Sequence, residues 1–149
     1  MFSTMQAASW KHCSADAPIP PGSILAGHDI DKSPIFIGRA YHKGDHLPGK
    51  VIPSKGSAYV CYGGKEIRKS GFEVLCNGNV DWVPAKFGIV PRNAVLGGQT
   101  STGEKLYIGR AHWMGSLTPG KVHPSHQTLY IPFDGKEISI QNYEVLVEN

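Results

Sequence analysis

The chain is written twice over. Sliding the sequence by 71 residues lays Phe36 to Cys76 over Tyr107 to Val147, and 19 of the 41 pairs are identical. Whatever fold the chain adopts must be one that a single plan can build twice. The matching blocks keep their order: IGRA at Ile37 to Ala40 and Ile108 to Ala111, then PGKV with a following Pro-Ser. GKEI follows at Gly64 to Ile67 and Gly135 to Ile138, and EVL closes at Glu73 to Leu75 and Glu144 to Leu146. Upstream, Trp10 and Trp82 open the two units and Pro21 matches Pro91, with the offset drifting by a residue. Repeat one therefore spans residues 10–76 and repeat two residues 82–147, inside a single domain covering 1–149. A chain of this length is expected to share one core.

Within each copy the apolar residues alternate over short runs. In PIFIGRAYH, Ile35, Ile37, Arg39 and Tyr41 fall on one face and Phe36, Gly38, Ala40 and His42 on the other, the period of a strand. With 18 Gly and 11 Pro, turns are frequent and long helices have little room. Each copy reads as a meander of about four short strands. A unit of about 65 residues with so few large apolar side chains is marginal alone, so each copy needs the other as a partner sheet. The expected fold is all-β: two tandem antiparallel β-meander repeats related by a pseudo-twofold axis and packed as a compact sandwich or an intertwined pair of sheets. In HLPGKV and LTPGKV the Pro-Gly pair reads as a type II turn that presents Lys50 in one copy and Lys121 in the other.

Composition excludes several functions. The net charge of +3 arises from 15 basic and 12 acidic residues, scattered rather than gathered into the stripe that a nucleic-acid binder carries. No segment approaches the apolar length of a membrane span. The beginning, MFSTMQAASWKHC, is polar and lacks the apolar run of a signal peptide, which points to a cytoplasmic protein, with unconventional release left open. Cys13, Cys61 and Cys76 are odd in number and match no zinc spacing, so they read as free thiols.

Two chemical alternatives can be weighed from spacing. His42 with His46, and His123 with His126 and His112, could gather at zinc, but such spacing persuades on a helix or beside cysteines. Glu66 with Glu73, or Glu137 with Glu144, could serve glycoside hydrolysis. Each glutamate belongs to a repeated block beside Lys65 or Lys136, and a structural Lys–Glu bond explains both copies more simply. With no phosphate loop, nucleophile motif or aspartate-rich calcium loop, no enzymatic activity, metal or cofactor is expected.

The blocks AGHDID, IGRA, PGKV, GKE and NYEVLV, in order over nearly the whole chain, resemble those of the DM-nine repeat proteins, which also form the lectin-like N-terminal part of natterin-type toxins. The resemblance implies repeats that exchange strands and, as in lectin members of the family, a homodimer that recognises mannose and high-mannose glycans in innate immune pattern recognition. It also implies that the Asp of AGxDI and the Lys of PGK hold the sugar, which here are Asp29 and Lys50. A carboxylate and an ammonium fixed near one another suit vicinal hydroxyls, accepting from some and donating to others. As a merely structural alternative, the two would form an exposed ion pair with each other.

Repeat two departs from this pattern. By sequence, Gly98, Gln99 and Thr100 stand where His28, Asp29 and Ile30 stand in repeat one, so Lys121 with Gln99 and Glu104 forms at most an altered second site. Among the aromatic residues, Trp10 and Trp82 read as paired anchors, Trp113 as a copy-specific surface group, and Tyr41 as a further ring on which a sugar could pack. The competing functional reading is a non-catalytic protein-interaction or scaffold module in a stress or immune response.

Overall fold

The structure is a computed structural model that describes residues 6–149; residues 1–5, part of the polar segment read above, lie outside it. It is all-β. The first seven strands are β1 (Ser9–Ser14), β2 (Leu25–His28), β3 (Pro34–His42), β4 (Asp45–Ile52), β5 (Ser57–Tyr62), β6 (Lys65–Lys69) and β7 (Gly71–Cys76). The next seven are β8 (Val80–Lys86), β9 (Leu96–Gln99), β10 (Lys105–Trp113), β11 (Ser116–His123), β12 (Thr128–Phe133), β13 (Lys136–Ile140) and β14 (Asn142–Glu148). Each half thus has more strands than the meander expected from sequence. SWKHCS, LAGH and KEIRK carry too few apolar residues to show the alternation that marks a strand, and only pairing with neighbours makes them strands.

Hydrogen-bonded neighbours follow the order β1-β7-β3-β2-β11-β12-β13-β6-β5-β4-β9-β10-β14-β8. Read backwards with every strand replaced by its counterpart in the other half, the order is unchanged. The pseudo-twofold axis passes between β6 and β13, where Lys65 faces Lys136. The halves interlock, since β2 pairs with β11 and β9 with β4. The further pairings β3–β4 and β10–β11 close the strands β3, β2, β11, β10, β9 and β4 into a ring, which removes the free edges these strands would otherwise present.

The Pro-Gly pairs are not turns. Pro48 and Gly49 lie inside β4, facing Arg39 and Gly38 of β3. The reversal comes earlier, at Lys43 and Gly44, whose φ values of 49° and 84° suit the tight two-residue hairpin that joins His42 to Asp45. On its other side β4 pairs with β9 at His46 and with β5 from Lys50 onward. Pro48 falls in the gap between these partners, where the ladder is interrupted and a missing N–H is tolerated. Gly49 is required for a different reason: a Cβ there would fall on the Tyr59 carbonyl oxygen. Gly120 meets the Tyr130 carbonyl in the same way.

The core has one lobe per half and a shared centre. Leu47, Val51, Val60, Phe72 and Val74 pack in the first lobe, and Val122, Leu129, Ile131, Tyr143 and Val145 in the second. Between them Ile37, Leu75, Ile108 and Leu146 pack with Trp10 and Trp82 on their flanks. Arg39 stacks over Trp10 and Arg110 over Trp82, each at 4.1 Å, so both tryptophans are anchors under an arginine. Trp113 packs one side against the second lobe and stays partly exposed. All three cysteines are buried free thiols, and burial pushes the Cys61 thiol well up from its ordinary value. Among the described residues no helix is long and apolar enough to cross a membrane.

Candidate functional site

A cavity of about 580 Å³ opens beside β4 and is lined by residues of both halves. Repeat one supplies Asp29, Ile30, Lys50, Lys55, Tyr59 and Glu66, while Met114, Phe133, Asp134 and Gly135 come from repeat two. The two residues singled out by sequence, Asp29 and Lys50, line this one cavity without pairing with each other. That corrects their reading as an exposed ion pair.

Asp29 begins the loop from β2 to β3. Its N–H donates to the Ser33 carbonyl, and its own carbonyl accepts from Lys32 N–H. Lys32 takes a positive φ of 74° to close this turn. The carboxylate accepts from Ile30 N–H at 2.9 Å through Oδ1 and meets Lys55 Nζ at 3.1 Å through Oδ2. Burial alone would raise the pKa of Asp29; the bonds from Ile30 and Lys55 outweigh it and hold the carboxyl below its ordinary value. Asp29 is thus a fixed carboxylate with an exposed lysine laid across it.

Lys50 leaves β4 into the cavity and is 4% exposed. Its Nζ stands 2.9 Å from Glu66 Oε2 and within 5.6 Å of the centres of the Tyr59 and Phe133 rings. Glu66 is held from the far half: Gly135 N–H donates to its Oε1 at 3.0 Å, and its own N–H donates to the Gly135 carbonyl. The lysine partner of this glutamate is therefore Lys50, and not its sequence neighbour Lys65. Lys50 and Glu66 form a buried ion pair. Among the described residues Lys50 makes no further bond, and its remaining N–H groups are available to the cavity.

The related position in repeat two is built differently. Lys121 meets Glu137 Oε2 at 3.0 Å, and Gly64 N–H holds Glu137 Oε1 at 3.1 Å. Lys121 also donates to the Cys61 carbonyl at 2.8 Å, which occupies the donor that Lys50 keeps free. Strand register makes Gln99 the counterpart of His28, since His28 faces Leu117 and Gln99 faces His46. The counterpart of Asp29 is then Thr100, whose N–H donates to the Glu104 carbonyl as that of Asp29 does to Ser33. Thr100, and not Gln99 as expected from sequence, therefore stands at the Asp29 position of repeat two. Glu104 is committed elsewhere, to His123 Nε2 at 3.0 Å and to Ser125 N–H and Oγ. Gln99, Glu104 and Lys121 are thus not gathered as Asp29 and Lys50 are.

Two of the histidines are stacked on neighbouring rings. His123 stacks on His126 at 3.6 Å and His46 on Tyr41 at 3.8 Å, and among the described residues no three His, Cys, Asp or Glu side chains form a group able to hold a metal ion. Glu73 and Glu144 bind Arg39 and Arg110 at 3.0 and 2.9 Å. What the sequence did not mark is the set from the opposite half, Phe133, Asp134 and Met114, together with Lys55.

A tandem all-β chain with this interlocked sheet and this cavity defines a repeat class. The DM9 repeat family profile matches residues 29–140, and the chain belongs to that family. It is similar to natterin-3 of Thalassophryne nattereri, with 27% identity over 144 residues, covering 94% of this chain and 36% of natterin-3. It is also similar to natterin-4 of the same organism, with 31% identity over 106 residues covering 68% of this chain and 25% of natterin-4. The chain spans between about a fifth and a little over a third of the length of the curated relatives it matches. Among solved structures the nematode sperm cell motility protein MFP2B shares the fold, with a TM-score of 0.69 at 14% identity, over 100% of this chain and 48% of that one.

Proposed function

We propose that the chain is a non-catalytic glycan-binding module for mannose and high-mannose glycans, with Asp29 and Lys50 as the sugar-holding pair. The observation that carries this reading is the state of Lys50: a buried ammonium between Tyr59 and Phe133, ion-paired to Glu66 and, unlike Lys121, making no bond to a backbone carbonyl among the described residues. A hydroxyl pair entering the cavity accepts from the remaining N–H groups, while the Asp29 carboxylate accepts from the same ring once Lys55 swings aside. The rings offer an apolar face to the sugar C–H groups. A polyol fits such a site better than an anion, because Asp29, Glu66 and Asp134 stand against Lys50 and Lys55.

As a homodimer in innate immune recognition, the protein would gain affinity for branched glycans by presenting two copies of the site, since linked sites raise effective concentration. Calorimetry with methyl α-mannoside and with mannan tests the reading. Binding by the wild-type protein that is lost in Asp29→Asn supports it; equal binding by both overturns the site. A glycan array with no sugar-dependent signal overturns the function and leaves the scaffold reading.

A further inference from the structure

A second cavity, about 360 Å³, is lined by His12, Arg39, Tyr41, His46, Phe72 and Glu73. Part of its frame is common to both halves. Arg39 is bonded to Glu73 and stacked on Trp10, as Arg110 is bonded to Glu144 and stacked on Trp82. The remaining groups belong to repeat one alone. Where Tyr41 and His46 stand, repeat two has His112 and Leu117. His12 faces Glu73 across the ladder, and in repeat two Pro84 faces Glu144. The fold is complete in repeat two without these three side chains, so packing does not account for them.

Their arrangement has the chemistry of a recognition surface. Tyr41 is 67% exposed, yet its ring is held parallel to the buried His46 ring at 3.8 Å with 12° between planes. One aromatic face is therefore presented to solvent at a fixed angle, with the entropy of ordering it already spent in the free protein. Beside it, Glu73 Oε1 accepts from Arg39 Nε at 3.0 Å and stands 3.2 Å from His46 Nε2, and Arg39 Nη1 donates to the Gly97 carbonyl. Glu73 Oε2 and Arg39 Nη2 make no hydrogen bond among the described residues, and both residues line the cavity, which leaves it one strong acceptor and one strong donor. Arg39 and Glu73 cancel in charge, and burial together with Arg39 holds His46 below its ordinary pKa, in the neutral form. A cation or an anion gains little from such a neutral setting. A ring with an apolar C–H face and hydroxyls at its edge gains from each of the three elements.

We propose that this cavity is a second carbohydrate subsite, taking a neutral sugar ring stacked on Tyr41 with hydroxyls bonded to Glu73 and Arg39. It is separate from the cavity of Asp29 and Lys50 and shares no residue with it.

The test is a heteronuclear NMR titration of the full chain with methyl glycosides of mannose, glucose, galactose and N-acetylglucosamine, each to about 50 mM, where weak single-sugar contacts titrate. At least one sugar is expected to shift the Arg39 Nε–H signal and the Gly71 and Phe72 amides. Those shifts are expected to vanish in Tyr41→Ala and in His46→Leu, the residue repeat two carries, and to survive in Asp29→Asn. Sugar-induced shifts confined to the Asp29 and Lys50 region would overturn this subsite while leaving the proposed function standing. Shifts near Arg39 that persist in both variants, or that choline produces and no sugar does, would also overturn it.

Discussion

Lys50 and Lys121 occupy matching positions and spend their ammonium groups differently, one on a cavity and one on the Cys61 carbonyl. The difference predicts separable costs. Asp29→Asn keeps the oxygen that accepts from Ile30 and loses only a charge facing the half-exposed Lys55, so it should cost less than about 1 kcal/mol while abolishing mannoside binding. Lys50→Ala strands the Glu66 carboxylate in a buried setting and should cost about 3 kcal/mol or more; adding Glu66→Gln should recover part of it, as urea unfolding would show. A second residue-scale effect is acid sensitivity. Burial lowers the pKa values of His46 and His123 from the ordinary 6.5. As pH falls below 6.5 the unfolded chain therefore takes up protons that the folded chain refuses, and stability declines. The depressed carboxyls of Asp29 and Glu104 extend the loss at lower pH. The urea midpoint should be lower at pH 5 than at pH 7.5, and His46→Leu with His123→Gln should flatten the slope; a midpoint that rises on acidification would contradict the assignment. At this scale Asp29 and Lys50 were legible as motif letters. Their partners were not, because Glu66 and Lys55 reach them through strand pairing that no local spacing encodes.

At the scale of elements, β4 carries Lys50 and β11 its counterpart Lys121, and both strands depend on a glycine for contact and not for turning. A side chain at Gly49 would strike the Tyr59 carbonyl and force β4 away from β5, moving Lys50 with it. Gly49→Ala should therefore cost more than the 1–3 kcal/mol of ordinary overpacking, about 3 kcal/mol or above, and should also weaken sugar binding. Gly64→Ala, with open space around it but a φ of 85°, should cost only about 1–2 kcal/mol. Denaturant unfolding of the two variants side by side separates close approach from backbone strain. The strands of IGRA and EVL were legible from alternation. The Pro-Gly pair misled because it reads as a turn only when a strand is assumed to have continuous partners, and β4 changes partner at Pro48.

Across the whole molecule, repetition in the sequence becomes a sheet that reads the same from either end. The pairing of each copy with the other was legible in the shortage of large apolar residues. The composite cavity was not, because Phe133, Asp134 and Gly135 enter the site of repeat one only once β13 has paired with β6. This dependence predicts how the halves behave apart. Residues 79–149 alone would expose the edge of β9 that pairs with β4, the edge of β11 that pairs with β2, and the Glu137 carboxylate that Gly64 now satisfies. They would also lose half of the shared centre around Ile37 and Leu75. A unit of about 70 residues has too little burial to absorb such losses. A second copy of the same half can replace the missing one, since its own Gly135 and Glu137 repeat the Gly64 and Glu66 of the other copy. The isolated half should therefore be folded only as a pair of chains, with a thermal midpoint that rises with protein concentration. Sedimentation with circular dichroism on residues 79–149 decides the matter: a cooperatively folded monomer would show that the interlocked strands are dispensable.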